Sequence, residues 1–141
     1  MTLRSGPKAL LVGICVTAAG VTVLTHLVYL PRYVPARLTR GLPYLALGWV
    51  SYGLVFYSLA RLRPVESVGG MPTMRAADIG TALFLFSVVL SGLLDTAGLT
   101  LADAAAFHTL PAVGVYVGLA LAGWGFGTRT RTVNEIAAER T

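Results

Sequence analysis

The chain has 141 residues, of which 55% are hydrophobic and only 12% are charged, and its formal net charge is +5. Soluble domains carry roughly 25% charged residues, so this composition argues against a soluble enzyme or a soluble binding domain. The basic residues lie in tails and connectors between apolar stretches, which favours orientation in a membrane over nucleic-acid binding. We therefore expect a protein that contacts the lipid bilayer and binds no nucleic acid.

Four apolar stretches follow one another along the chain, at about 9–30, 42–60, 76–98 and 104–127. A bilayer core needs about 20 apolar residues as helix, and a helix satisfies its own backbone hydrogen bonds in lipid. The sequence thus predicts an all-α membrane protein, a four-transmembrane-helix bundle forming a single integral membrane domain over 1–141. A flexible loop is expected at 61–75 and a polar C-terminal tail at 128–141. Because the first apolar run continues ten residues past Gly20, we interpret it as an uncleaved helix and not a signal peptide.

The distribution of basic residues predicts an orientation. The two tails and the connector 61–75 carry eight of the 11 basic residues, and the connectors 31–41 and 99–103 carry three. The positive-inside rule then places both termini in the cytoplasm of a multi-pass protein of the cell membrane. The three arginines of the connector 31–41 are the main evidence against this orientation.

Small residues in the fourth predicted helix indicate close helix packing. Gly114, Gly118 and Ala122 recur every four residues, a spacing that lets helix backbones approach closely. Packing within the bundle is favoured over a dimer interface, because three partner helices are available in the same chain. Pro111 either kinks this helix or marks a helix start near Thr109.

Ionisable residues within the apolar stretches are the candidate functional residues. His26 and His108 are the only histidines, and Ser87, Ser91 and Asp95 form a polar stripe along the third predicted helix. His26, Asp95 and His108 each lie three or four residues inside a predicted helix end, on what would be the outer side. They could therefore converge in one layer, or each could simply contact water near the membrane surface.

Three functional hypotheses follow. The absence of a P-loop, a dinucleotide fingerprint and a zincin pattern favours a non-enzymatic accessory or assembly subunit of a membrane complex, with a protein partner or a homo-oligomer. The second hypothesis is a redox protein in which His26 and His108 bind haem or a metal and Asp95 orients one imidazole. The third is a small transporter that uses Asp95. Cys15, the only cysteine, excludes an intrachain disulfide and a cysteine-based metal motif.

Overall fold

The structure is a computed structural model that describes residues 6–63 and 74–139. Within these ranges it is helical and holds no strand. Four helices are long and apolar enough to cross a membrane: helix 1 (Pro7–Tyr33), helix 2 (Leu38–Leu62), helix 3 (Arg75–Thr96) and helix 4 (Ala105–Glu139). The prediction of four helices of spanning length is confirmed. Most of the predicted loop 61–75 lies outside the described residues.

Helix 1 changes its winding near its end. It is α-helical over Gly6–Leu24, π-helical over Thr25–Tyr29, and α-helical again over Leu30–Tyr33. In the wider turn the Leu30 N–H donates to the Thr25 carbonyl, five residues back. Pro31 explains the site of this turn, because proline lacks an N–H and its ring crowds the carbonyl four residues earlier. The helix continues past this point and ends three residues beyond the predicted boundary at 30.

Helix 4 extends further than its apolar stretch. The predicted polar tail at 128–141 is helical as far as Glu139, continuous with the membrane-spanning part. The Thr128 and Thr132 hydroxyls donate to carbonyls four residues back, and Arg131 lies 3.9 Å from Glu135 across one turn. Hydropathy marks where the apolar run ends, whereas the helix ends only where its hydrogen bonding is interrupted. At its other end a 3₁₀ turn, Ala105–His108, precedes the α-helix that begins at Thr109, so Pro111 sits in the first α-helical turn.

The four helices pack in the spatial order 1, 2, 4, 3. Helix 4 lies between helices 2 and 3, and among the described residues the backbone of helix 1 packs closely only on helix 2. Helices 1 and 3 therefore occupy opposite ends of the row. This order gives helix 4 two helical neighbours, which requires small residues on two of its faces.

Glycines on helix 4 bring both neighbours close. A Cβ atom at Gly118 would lie 2.6 Å from the Phe84 nitrogen of helix 3. On another face, a Cβ atom at Gly123 would collide with the Gly53 carbonyl of helix 2. Gly114 and Ala122 also lie against helix 3, beside Ser87 and Gly80 respectively. The small residues singled out in the sequence thus lie at a contact within the chain.

Candidate functional site

His26 lies in the π-helical turn and packs against helix 2. Its imidazole is half-buried, and a Cβ atom at Gly48 would lie only 2.6 Å from its Cε1 atom and 2.9 Å from Thr25 Oγ1. The ring can occupy this position because residue 48 has no side chain. The π-helical turn therefore presents the imidazole to the interior of the fold and not to lipid.

The hydrogen bonds of His26 define its tautomer. Nδ1 lies 2.8 Å from the Thr22 carbonyl oxygen, which can only accept, so Nδ1 carries the proton. In the neutral imidazole, Nε2 is then the acceptor for the hydroxyl of Tyr116, on helix 4. The two rings meet edge to face with their centroids 5.3 Å apart. This side-chain pair ties helix 1 to helix 4, although the backbones of these helices are not neighbours.

Tyr116 is the centre of a cluster to which all four helices contribute. We call His26, Trp49, Tyr52, Phe84 and Tyr116 the aromatic cluster. Tyr52 of helix 2 meets the Tyr116 ring edge-on at 5.2 Å, and the Trp49 side chain lies beside the Tyr116 hydroxyl. Trp49 in turn meets Phe84 of helix 3 at 5.4 Å and an interplanar angle of 89°. Edge-to-face pairs of this kind contribute about 0.5–1.5 kcal/mol each beyond their buried area.

Hydroxyl groups continue this polar region between helices 1 and 2. Thr22 Oγ1 lies 3.0 Å from Ser51 Oγ, and Ser51 donates to the Gly48 carbonyl of its own helix. Ser51 is buried, with 5% of its surface exposed. Each hydroxyl therefore has a partner inside the fold, as a polar group in a lipid environment requires.

His108 belongs to a separate site between helix 3 and the connector that precedes helix 4. Its side chain is 7% exposed. Nε2 lies 2.6 Å from the Leu99 carbonyl oxygen and must donate to it, so in the neutral imidazole Nδ1 accepts a hydrogen bond from the Ser91 hydroxyl at 2.9 Å. His108 thus has the tautomer opposite to that of His26, and it fastens the connector to helix 3.

The structure does not bring His26, Asp95 and His108 together. Asp95 is exposed at the end of helix 3, and no three His, Cys, Asp or Glu residues in the described ranges are grouped so that they could hold a metal ion. His26 lies deeper than expected, seven residues before the end of helix 1, which is about 10 Å along the axis. Its partner Tyr116 is eight residues beyond His108, about 12 Å along helix 4.

The two imidazoles each take part in a hydrogen-bonded network. Each imidazole donates through one nitrogen to a backbone carbonyl and accepts a hydroxyl proton at the other nitrogen. The nitrogen with the free electron pair is the one that would ligate a metal. Ligation of haem or a metal would therefore require the Tyr116 or Ser91 hydroxyl to be displaced.

Sequence reasoning missed Tyr116, the residue that receives most of these contacts. A signal for it was present, since a tyrosine in the middle of an apolar span needs a hydrogen-bond partner for its hydroxyl. Tyr52 carries the same signal on helix 2. Their partners could not be assigned without the spatial order of the helices.

A lateral groove is the second feature of functional interest. It lies between helix 1, from Ala9 to Val21, and helix 2, from Leu47 to Leu54, with a volume of about 620 Å³. Its lining is apolar apart from Thr17 and Ser51. A Cβ atom at Gly13, in this lining, would meet no atom within 4 Å. Unlike the helix 4 glycines, this small residue has no neighbour within the chain.

Comparison with protein-family models, with curated proteins and with solved structures finds no match. The functional argument therefore rests on the aromatic cluster, the two histidine networks and the lateral groove.

Proposed function

We propose that this small four-helix membrane protein is a non-enzymatic accessory subunit that binds a transmembrane helix of a partner protein in its lateral groove. The observation that carries the proposal is the open groove between helices 1 and 2. Every glycine of helix 4 lies against a neighbouring helix, whereas Gly13, in the wall of the groove, faces open space.

The dimensions of the groove suit a helix. Its helix 1 wall extends over 12 residue steps, which is about 18 Å or more than three helical turns. Gly13 and Thr17, spaced four residues apart on this wall, match the small-xxx-small spacing of close transmembrane helix pairs. Helix 1 is the least covered of the four helices: 11% of its most apolar segment is buried, compared with 17% for helix 3 and 22% for helices 2 and 4.

The polar groups of the spans support an accessory role over an enzymatic one. Both imidazoles, Thr22 and Ser51 are engaged in hydrogen bonds that hold helices and connectors together. These groups have a structural use, since His26 is bonded to Tyr116 of helix 4, Thr22 to Ser51 of helix 2, and His108 to Ser91 and Leu99. The exposed apolar groove is then the feature left to interact with another molecule.

A matched pair of substitutions tests the proposal. Gly13→Leu fills the groove, and Gly92→Leu adds the same side chain on helix 3, where a Cβ atom also meets nothing within 4 Å. We expect a stoichiometric partner to co-purify with the wild type and with Gly92→Leu after mild detergent extraction, and to be lost with Gly13→Leu. A photo-crosslinking residue at Val50, in the groove, should label that partner, whereas one at Val89 should not.

Two results would overturn the proposal. Cross-links from Val50 to a second copy of this chain would make the groove a homo-oligomer interface. Equal co-purification with Gly13→Leu and Gly92→Leu would mean that the partner binds elsewhere.

A further inference from the structure

Two arginines at the end of helix 2 are stacked on aromatic rings. The Arg61 guanidinium lies 5.7 Å from the Tyr57 ring centroid and donates to the Tyr57 hydroxyl at 3.2 Å. The Arg63 guanidinium lies 5.0 Å from the ring centroid of Trp124, on helix 4. The contact with the aromatic ring holds each guanidinium group in place. It leaves most of the N–H groups, which point outward in the plane of the guanidinium, free to donate.

A third arginine joins the end of helix 2 to helix 4. Arg131 lies in the part of helix 4 that follows its apolar stretch. It donates through Nη1 to the Ala60 carbonyl at 3.3 Å and to the Arg63 carbonyl at 3.2 Å. It thereby satisfies carbonyls that the end of helix 2 leaves without intrahelical partners. Arg131 thereby holds the backbone at residue 63 beside helix 4, where the Arg63 guanidinium lies over the Trp124 ring.

The charge at this end is not balanced within the described residues. The ion pair found there joins Arg131 to Glu135 at 3.9 Å, and neither Arg61 nor Arg63 has a carboxylate partner in that part of the chain. Tyr and Trp are residues that membrane proteins concentrate at headgroup depth. Two guanidinium groups that have no carboxylate partner among the described residues thus lie beside Tyr57 and Trp124, residue types common at headgroup depth.

We propose that Arg61 and Arg63 form a binding site for the phosphodiester of an anionic phospholipid headgroup, with Arg131 as the positioning residue. A guanidinium donates two parallel N–H bonds that match the oxygens of a phosphate. Basic residues between or beside membrane helices at the cytoplasmic surface recognise anionic headgroups in the same way. The site lies where helix 2 ends, beside Trp124 and Arg131 of helix 4, and does not depend on the proposed accessory function.

Quenching of Trp124 fluorescence tests this site directly. A Trp49→Phe background leaves Trp124 as the single tryptophan. The protein is titrated in mixed micelles with brominated phosphatidylglycerol and, separately, with brominated phosphatidylcholine. We expect tighter binding of phosphatidylglycerol, and about a 25-fold weakening in Arg61→Gln/Arg63→Gln, since each basic residue near the surface contributes about fivefold.

Three comparisons make the outcome decisive. Arg129→Gln removes one positive charge from the same end without touching Arg61 or Arg63, so it should weaken binding by about fivefold at most, well short of the loss in the double variant. Arg63→Lys keeps the charge but loses the planar group, and should weaken binding while the protein stays folded by circular dichroism. Millimolar inorganic phosphate should not compete with phosphatidylglycerol.

Each opposite result overturns the proposal. Equal affinity for phosphatidylglycerol and phosphatidylcholine would mean ordinary boundary lipid. An equal loss in Arg129→Gln would mean diffuse charge and no specific site. Competition by inorganic phosphate would identify a site for soluble anions and not a lipid site.

Discussion

The Tyr116 hydroxyl on helix 4 donates a hydrogen bond to His26 Nε2 in the π-helical turn of helix 1. The bond spans helix 2, which lies between the two helices in the spatial order of the fold. The bond gives the ionisable ring of this apolar segment a partner in the interior of the fold. The imidazole cross-links helices 1 and 4, and the glycine at position 48 makes room for it.

Tyr116→Phe should destabilise the protein by roughly 0.6–2 kcal/mol, the range for hydrogen bonds between membrane helices. The aromatic ring and its edge-to-face contacts remain in this variant, so the loss of stability measures the contribution of the hydroxyl group. Unfolding in mixed detergent measures it, with Tyr29→Phe as control because Tyr29 keeps its stacking on Tyr44. In a double-mutant cycle, His26→Phe should add little to Tyr116→Phe. Full additivity would show that the two residues do not interact.

His108→Ala should loosen the connector between helices 3 and 4. The substitution removes the donor to the Leu99 carbonyl and the acceptor for Ser91, and an unsatisfied buried group costs about 1–3 kcal/mol. Hydrogen exchange of the connector 97–104 is the measurement. Ser91→Ala should produce a smaller increase, because the bond from His108 to Leu99 remains. Unchanged exchange in His108→Ala would contradict the role assigned to this histidine.

Gly118→Leu should destabilise the contact between helices 3 and 4 by roughly 1–3 kcal/mol or more, as overpacking does in tight interiors. The reason is that even a Cβ atom there would approach backbone atoms of Phe84 at 2.6 Å. Gly92→Leu is the matched control, because a Cβ atom at Gly92 meets nothing within 4 Å. Thermal unfolding in detergent compares the two. Similar stability of the two variants would place position 118 outside the contact.

Both termini are predicted to be cytoplasmic, from the distribution of basic residues. Single cysteines introduced as Ser67→Cys and Thr100→Cys, in a Cys15→Ala background, test the orientation in intact cells. An impermeant thiol reagent applied outside should label position 100 and leave position 67 unlabelled. The reverse pattern would mean that the arginines of the connector 31–41 determine the orientation.

The hypothesis that His26 and His108 bind haem or a metal has its own signature. It requires a visible absorption band or stoichiometric metal that is lost in His26→Ala and in His108→Ala. The hydrogen-bond pattern favours the opposite outcome, since each acceptor nitrogen already has a hydroxyl donor. We therefore expect purified wild-type protein to be colourless and metal-free by elemental analysis.

The sequence by itself determined the number and approximate position of the four helices. The physical reason is local: a predominantly apolar run of about 20 residues cannot leave its backbone groups unpaired in lipid, so each run must be helical. The glycine spacing on helix 4 was readable for a similar reason, because helical periodicity alone places Gly114 and Gly118 on one face.

Only the tertiary structure decided which polar residues meet. The depth of His26 depends on the π-helical turn, and its partner depends on helix 4 lying beside helix 2 and not beside helix 1. The expectation of one layer with Asp95 and His108 assumed regular helices with ends set by hydropathy. The helical hydrogen bonding instead continues to Tyr33 in helix 1 and to Glu139 in helix 4. His26 and Tyr116 are 90 positions apart, and their contact depends on how the helices pack. No local pattern in the sequence indicates such a contact.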